Sequence, residues 1–189
     1  MHNTLWDKKK HNNKREMIRA ARNLFEAKGY HNTSVKELCE EVMISKTTFF
    51  NYFGSKDQLI RIIFDSAFED TKNTVESKFG DEGNPIDAIE CVLDCMIGDV
   101  AAYPEVSTTA FELMIRSEEM RTFKDGYEKL ILKYIKKAKH ENMIRDDLSE
   151  DVATVMLMGS FYALTFANPE TISKAKKQQI IKQVLSIIK

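Results

Sequence analysis

Turn-forming residues are scarce in this chain. Its 189 residues include only seven Gly and three Pro. That scarcity excludes architectures of many short strands joined by tight turns, and it favours long helices. Cysteine is rarer still: Cys39, Cys91 and Cys95 cannot build a disulfide framework. Long apolar runs are also missing. The longest, Met156 to Ala167, is interrupted by Ser160 and Thr165 and is too short to span a bilayer. The start of the chain is polar from Asp7 to Arg15 and lacks the apolar stretch of a secretory signal. A cytoplasmic protein without a membrane partner is therefore expected. No Gly-rich phosphate loop, nucleophile motif or metal-spaced His set is present. His2, His11, His31 and His140 all sit in polar contexts. The expectation is a protein that is not an enzyme and needs no metal or cofactor.

Hydrophobic residues make up 43% of the chain, enough for a sizeable core. The net charge of −1 hides an asymmetry. The first 60 residues hold 11 Lys and Arg against 7 Asp and Glu, whereas the remainder holds 17 against 22. A basic N-terminal third on an acidic body is the pattern of a protein that meets a polyanion with one end only.

Apolar residues recur at three- and four-residue spacing almost throughout, which predicts an all-α fold of about nine helices. A first helix is expected from about Asn13 to Lys28, ended by Gly29. Ser34 and Glu37 form a capping box for a second helix, and Ser45 caps a third over Lys46–Tyr52. Ser55 and Gln58 form another box, opening a long fourth helix. Gly80–Asn84 is the clearest linker, and Asn84-Pro85 starts a fifth helix, to about Ala102. Further helices are expected near Pro104–Arg116, Ser117–Glu141, Ser149–Ala167 and Ile172–Ile188. The domain division that follows is a basic arm at 1–12, an N-terminal head at 13–55, and a C-terminal body at 56–189.

Two short helices separated by a few residues and preceded by a packing helix form a helix-turn-helix. The third helix must be apolar inward, through Phe49, Phe50 and Phe53, and polar outward so that it can approach base edges. Thr offers a methyl or a hydroxyl, and Asn pairs bidentately with adenine. The DNA-contact candidates are Thr33, Ser34, Ser45, Lys46, Thr47, Thr48, Asn51, Tyr52 and Lys56. The basic stretch Lys8–Arg15 reads equally as an arm on DNA or as a solvated tail.

The stretch Ala21–Leu59 resembles the TetR N-terminal signature. Ala21-x-x-Leu24-Phe25-x-x-x-Gly29-Tyr30 matches the first helix and its exit, and Thr33-Ser34-Val35-x-x-Leu38 matches the start of the second. Ile44 to Phe53, followed by Ser55-Lys56-x-x-Leu59, matches the turn, the recognition helix and the next helix start. The resemblance implies a homodimeric repressor of the TetR/AcrR type, released from a palindromic operator by a small-molecule effector. Two departures stand out. Met43 occupies the turn where the family usually has Gly, and Phe50 stands where a family Tyr commonly bonds a DNA phosphate.

The body is rich in Met and aromatic residues. Cys95, Met96, Phe111, Met114, Tyr127, Tyr134 and Phe161 are the candidates to line an apolar ligand pocket. Core packing explains the same residues, so a DNA-binding dimer without small-molecule input, controlled by concentration or a protein partner, is the alternative. Cys91 and Cys95, four apart on one helix face, read as thiol sensors, as ligands of a soft metal (though no His or third Cys follows at ligand spacing), or as ordinary core residues. Dimerisation is expected through the last two helices, with Met156, Gly159, Ala163, Ile181, Val184, Leu185 and Ile188 at the interface.

Overall fold

The computed structural model describes the backbone of residues 5–116 and 118–189, and the side chains of residues 14–116 and 125–189. Among the described residues there is no strand. The helices are α1 (Leu5–Lys28), α2 (Val35–Glu41), α3 (Lys46–Phe53), α4 (Lys56–Phe79), α5 (Pro85–Ala102), α6 (Pro104–Arg116), α7 (Glu118–His140), α8 (Glu150–Phe166) and α9 (Lys174–Leu185). A short 3-10 turn at Pro169–Thr171 joins the last two.

The expected caps form. Ser34 accepts from the Glu37 N–H while the Glu37 carboxylate accepts from the Ser34 N–H, closing the box. Lys28 hydrogen-bonds the same carboxylate and, with Ser34, holds it down at about 2. Ser45, Asn84, Ser149 and Ser173 cap α3, α5, α8 and α9. At Ser55 only half of the expected box is made. Its hydroxyl accepts from the Gln58 N–H at 3.0 Å, while the Gln58 side chain lies against Gly54.

Two helix boundaries differ from expectation. Helix α1 reaches back to Leu5, because nothing between Leu5 and Lys28 breaks a helix and Lys, Arg, Ala and Glu propagate one. The expected arm is thus helical from Leu5, while residues 1–4 and the side chains of Lys8, Lys9 and Lys10 lie outside the described set. Helix α9 ends at Leu185 rather than near Ile188. The Ile188 carbonyl instead accepts from the Arg145 N–H at 3.0 Å, tying the end of the chain to the loop after α7.

Two apolar cores organise the packing. One joins the end of α4 to α5, α7, α8 and α9, with Ile89, Leu93, Ile131, Leu157 and Val184 fully buried. The other joins α1, α2, α3 and the start of α4 to α6. Its Phe25, Phe49 and Phe53 are essentially inaccessible, each contributing about 1.5–3 kcal/mol of burial. Val106, Ala110 and Met114 of α6 pack in this head core, and Tyr162 of α8 touches both cores. Head and body are therefore linked through α4 and α6.

The turn before α3 is made by Met43 at φ 52°, in the left-handed region, with 93% of its surface exposed. An L side chain is strained there and this one packs against little, so the residue costs stability without burying anything. Met43→Gly should stabilise the protein by roughly 0.5–1 kcal/mol, the relief of strain outweighing the extra freedom of Gly in the unfolded chain. Urea denaturation of the two proteins measures the difference; an unchanged or lowered midpoint would contradict this account of the turn.

Candidate DNA-binding and effector sites

Helix α3 is held from beneath by Phe49 and Phe53, whose ring centroids lie 5.4 Å apart. They sit four residues apart on one face, and Phe50, offset around the helix from Phe49, lies at the edge of that face. Phe50 is half exposed, contrary to the expected inward position. Lys46, Thr47, Phe50 and Asn51 make the exposed face, while Tyr52 is half-buried against the head core. The Thr48 hydroxyl lies 2.8 Å from that of Ser45, within the cap of α3, so both are partly engaged at the start of the helix.

Two other contact candidates have structural partners. Thr33 is buried, and its hydroxyl donates to the carbonyls of Gly29 at 2.9 Å and Leu24 at 3.4 Å. It locks the exit of α1 and does not face outward, which corrects its reading as a DNA contact. Lys56 is half-buried and donates to the carbonyls of Tyr30 at 2.8 Å and Thr33 at 3.1 Å. Its ammonium sits 4.1 Å from the centre of the Tyr30 ring. Lys56 is therefore first a clamp on the loop between α1 and α2. Ser34 is exposed at the start of α2, where its hydroxyl serves the capping box.

The body contains an apolar cavity of about 60 Å³. Of the sequence candidates, Met96, Phe111, Met114, Tyr127 and Phe161 line it. Cys95 and Tyr134 do not: Cys95 is half-buried beside Cys91, and Tyr134 is fully buried in the body core. Burial first, then Cys91, pushes the Cys95 thiol up to about 11. So raised a thiol is little ionised at neutral pH, which removes support from the sensing reading. Among the described residues no cluster of three His, Cys, Asp or Glu could hold a metal.

Tyr162 and Phe166, part of the same Met- and aromatic-rich pattern, line the cavity too, and so do Phe64 and Asp99, which sequence reasoning missed. Phe166 stacks on Phe111 at 4.6 Å. The aromatic residues of α8 were legible as apolar, but their convergence with α6 depends on how the helices cross. The Tyr127 hydroxyl lies 3.4 Å from that of Thr71 on α4, in a buried contact.

The cavity wall is joined to the head by two side chains of α1. The Glu26 carboxylate accepts from the N–H groups of Glu105 at 3.1 Å and Val106 at 3.3 Å, capping the start of α6. Arg22 donates to the Ile63 carbonyl on α4 at 3.1 Å and lies 5.7 Å from the centre of the Tyr103 ring.

Helix α8 turns Val152, Val155, Met156, Gly159 and Ala163 outward, at the spacing of one helix face. A side chain added at Gly159 would meet nothing within 4 Å. On α9 and just beyond it the expected interface is corrected: Ile181, Val184, Leu185 and Ile188 are all buried in the chain's own core, which α9 joins against α5 and α8.

Residues 17–63 match the family model described as bacterial regulatory proteins, tetR family. The match falls on the N-terminal head, from within α1 to within α4. The chain is similar over 159 residues to the HTH-type transcriptional repressor DhaR of Mycobacterium sp. strain GP1, with 24% identity and 78% of each chain covered. In fold it resembles the transcriptional regulator FadR from Bacillus subtilis, crystallised with stearoyl-CoA. There the TM-score is 0.75 at 17% identity, covering 92% of this chain and 98% of that one. It also resembles RolR, crystallised with resorcinol, with a TM-score of 0.66 at 17% identity, covering 96% of this chain and 90% of that one. The all-helical architecture is thus that of TetR-family regulators.

For a tetR-family head, the two departures in sequence now have structural form. Met43 takes the left-handed turn that Gly would take freely, and Phe50 offers an exposed ring without a hydroxyl to donate. The separation of Lys56 from Lys46 is testable. Lys56→Ala should lower stability by about 1–2 kcal/mol, because two carbonyls lose a charged donor. Lys46→Ala should leave stability within about 0.5 kcal/mol while lowering the salt dependence of DNA binding by about one counterion. Thermal denaturation and salt titration measure the two effects; equal stabilities of both variants would overturn the clamp.

Proposed function

We propose that this protein is a homodimeric, sequence-specific DNA-binding regulator that represses transcription until a small, largely apolar ligand releases it. The observation that carries the reading is the position of α6. It lines the cavity through Ala110, Phe111 and Met114, packs Val106, Ala110 and Met114 in the head core, and has its first turn capped by Glu26 of α1. The names of similar proteins support it: DhaR is a repressor, and FadR and RolR were each crystallised with a small molecule.

Residues 13–55 act as the DNA-binding head and 56–189 as the effector and dimerisation body. Helix α3 enters the major groove, with Lys46, Thr47 and Asn51 toward base edges or phosphates and Ser34 and Ser45 toward the backbone. Thr48 and Tyr52, half-buried, contribute from the edge of that face. No helix among the described residues is long and apolar enough to cross a membrane, in keeping with a cytoplasmic place of action.

A cavity of about 60 Å³ is smaller than the roughly 150 Å³ void that accommodates benzene. A ligand must therefore displace wall side chains, those of α6 among them. A ligand that prefers the displaced arrangement shifts the head through Glu26 and changes the separation of the paired recognition helices, set by a half-site spacing of about 34 Å. The small cavity also favours a second reading, a dimeric regulator with no effector. The two differ in whether any small molecule both stabilises the protein and weakens operator binding, as linkage requires.

Selection of random duplexes should enrich a partly palindromic sequence, and Asn51→Ala should change the preferred bases rather than weaken all duplexes equally. Absence of any enriched sequence at moderate salt would remove the DNA reading. The dimer is placed on the exposed face of α8, built on Met156, Gly159 and Ala163. Gly159→Arg has open space in one subunit, so it should keep full helical content, become a monomer by light scattering, and lose most operator affinity. A variant that stays dimeric would move the interface elsewhere.

A further inference from the structure

The cavity carries one charged group. Asp99, on α5, is the only formally charged side chain lining it among the described residues, set among the aromatic walls of Phe64, Phe111, Phe161, Tyr162 and Phe166. It is half-buried, and its carboxylate has no hydrogen-bond or ion-pair partner among the described residues. Lys177 on α9 is engaged by Asp94 at 2.8 Å. Arg22 of α1 is directed to the Ile63 carbonyl and the Tyr103 ring.

Resting on the effector reading above, we propose that the cavity recognises a compact organic cation, a protonated or quaternary amine carried on a small aromatic body, with Asp99 as its counter-charge. Three physical arguments converge. Aromatic faces are electronegative and attract a cation most strongly where water is excluded. An anionic head would face the Asp99 charge in a medium that screens it poorly. A neutral apolar ligand would strip water from Asp99 without replacing it, which is costly. A cation alone satisfies both the rings and the carboxylate. Burial already raises the Asp99 carboxyl above its ordinary value, with Asp70 adding to the rise and Arg22 and Lys177 opposing it.

The placement also links recognition to the head. Asp99 and Ser107 line a second, smaller crevice of about 20 Å³ together with Arg22, Ile63 and Tyr103. Asp99 therefore borders the ligand cavity on one side and, on the other, a crevice shared with the head's arginine. A cation bound to Asp99 neutralises the field that Arg22 experiences, at the point where α1 meets α4.

The test uses three probes of matched shape: 2-phenylethylammonium, neutral 2-phenylethanol and anionic 3-phenylpropanoate, titrated calorimetrically into the full-length protein at neutral pH. The ammonium should bind about tenfold or more tightly than either of the others. Asp99→Asn should abolish that preference while leaving binding of the alcohol unchanged, and Asp99→Glu should restore part of it. Tighter binding of the alcohol or the anion, a preference that survives in Asp99→Asn, or no binding of any probe would each overturn the proposal, and the wild-type comparison decides even if a variant fails to fold. Operator binding measured on the same preparation separates the outcomes. If it persists while no probe binds, the ligand class is wrong and the DNA-binding reading stands; if it is absent, the regulator reading itself fails.

Discussion

The carboxylate of Glu26 accepts from the two N–H groups that open α6, and this contact ties the N-terminal head to the wall of the cavity in the body. The first N–H groups of any helix lack intrahelical partners and favour a negative charge. Most helices of this chain find their cap one residue upstream, in Ser or Asn. Helix α6 follows Tyr103 and opens on Pro104, and neither side chain can cap it, so the cap comes from a helix 79 residues earlier in sequence. A local deficiency in hydrogen bonding is thus satisfied by a long-range contact, and α1 and α6 must move together or lose it.

The packing reinforces that union. Met114 and Ala110 of α6 are buried in the head core and also line the cavity of the body. The Arg22 bond to the Ile63 carbonyl adds a second strut, to α4. Close-packed interiors do not deform continuously, so a ligand that enlarges a small cavity forces a change of packing rather than a local bulge. The cavity wall and the head thus share side chains.

Much of the candidate interface was readable locally. Ser34, Ser45, Ser55 and Asn84 announced helix starts because a capping bond spans only two or three residues. Phe49 and Phe53 were readable as the anchored face of α3, since four-residue spacing places them together. Phe50 was misplaced because periodicity alone does not say how many of three neighbouring aromatics a small core can accept. Thr33 and Lys56 lay within the motif yet turned out to serve the loop at Tyr30. Their partners are backbone carbonyls, which no side-chain pattern announces. The apolar stripes of α8 and α9 looked alike in sequence, but α9 spends its stripe on α5 and α8, while α8 has a second apolar face left over.

The sequence by itself determined the all-helical class, the order and approximate limits of the helices, and the identity of the head. Each rests on interactions between residues a few positions apart, which amino-acid spacing specifies directly. Only the tertiary structure decided which apolar residues enclose the cavity, that Cys95 and Tyr134 stay outside it, and that Asp99 faces it without a described partner. It also decided that α6 belongs to both cores. Those outcomes depend on crossing angles and on which of several similar stripes meet, quantities set by the packing of the whole chain and not by any local run of residues.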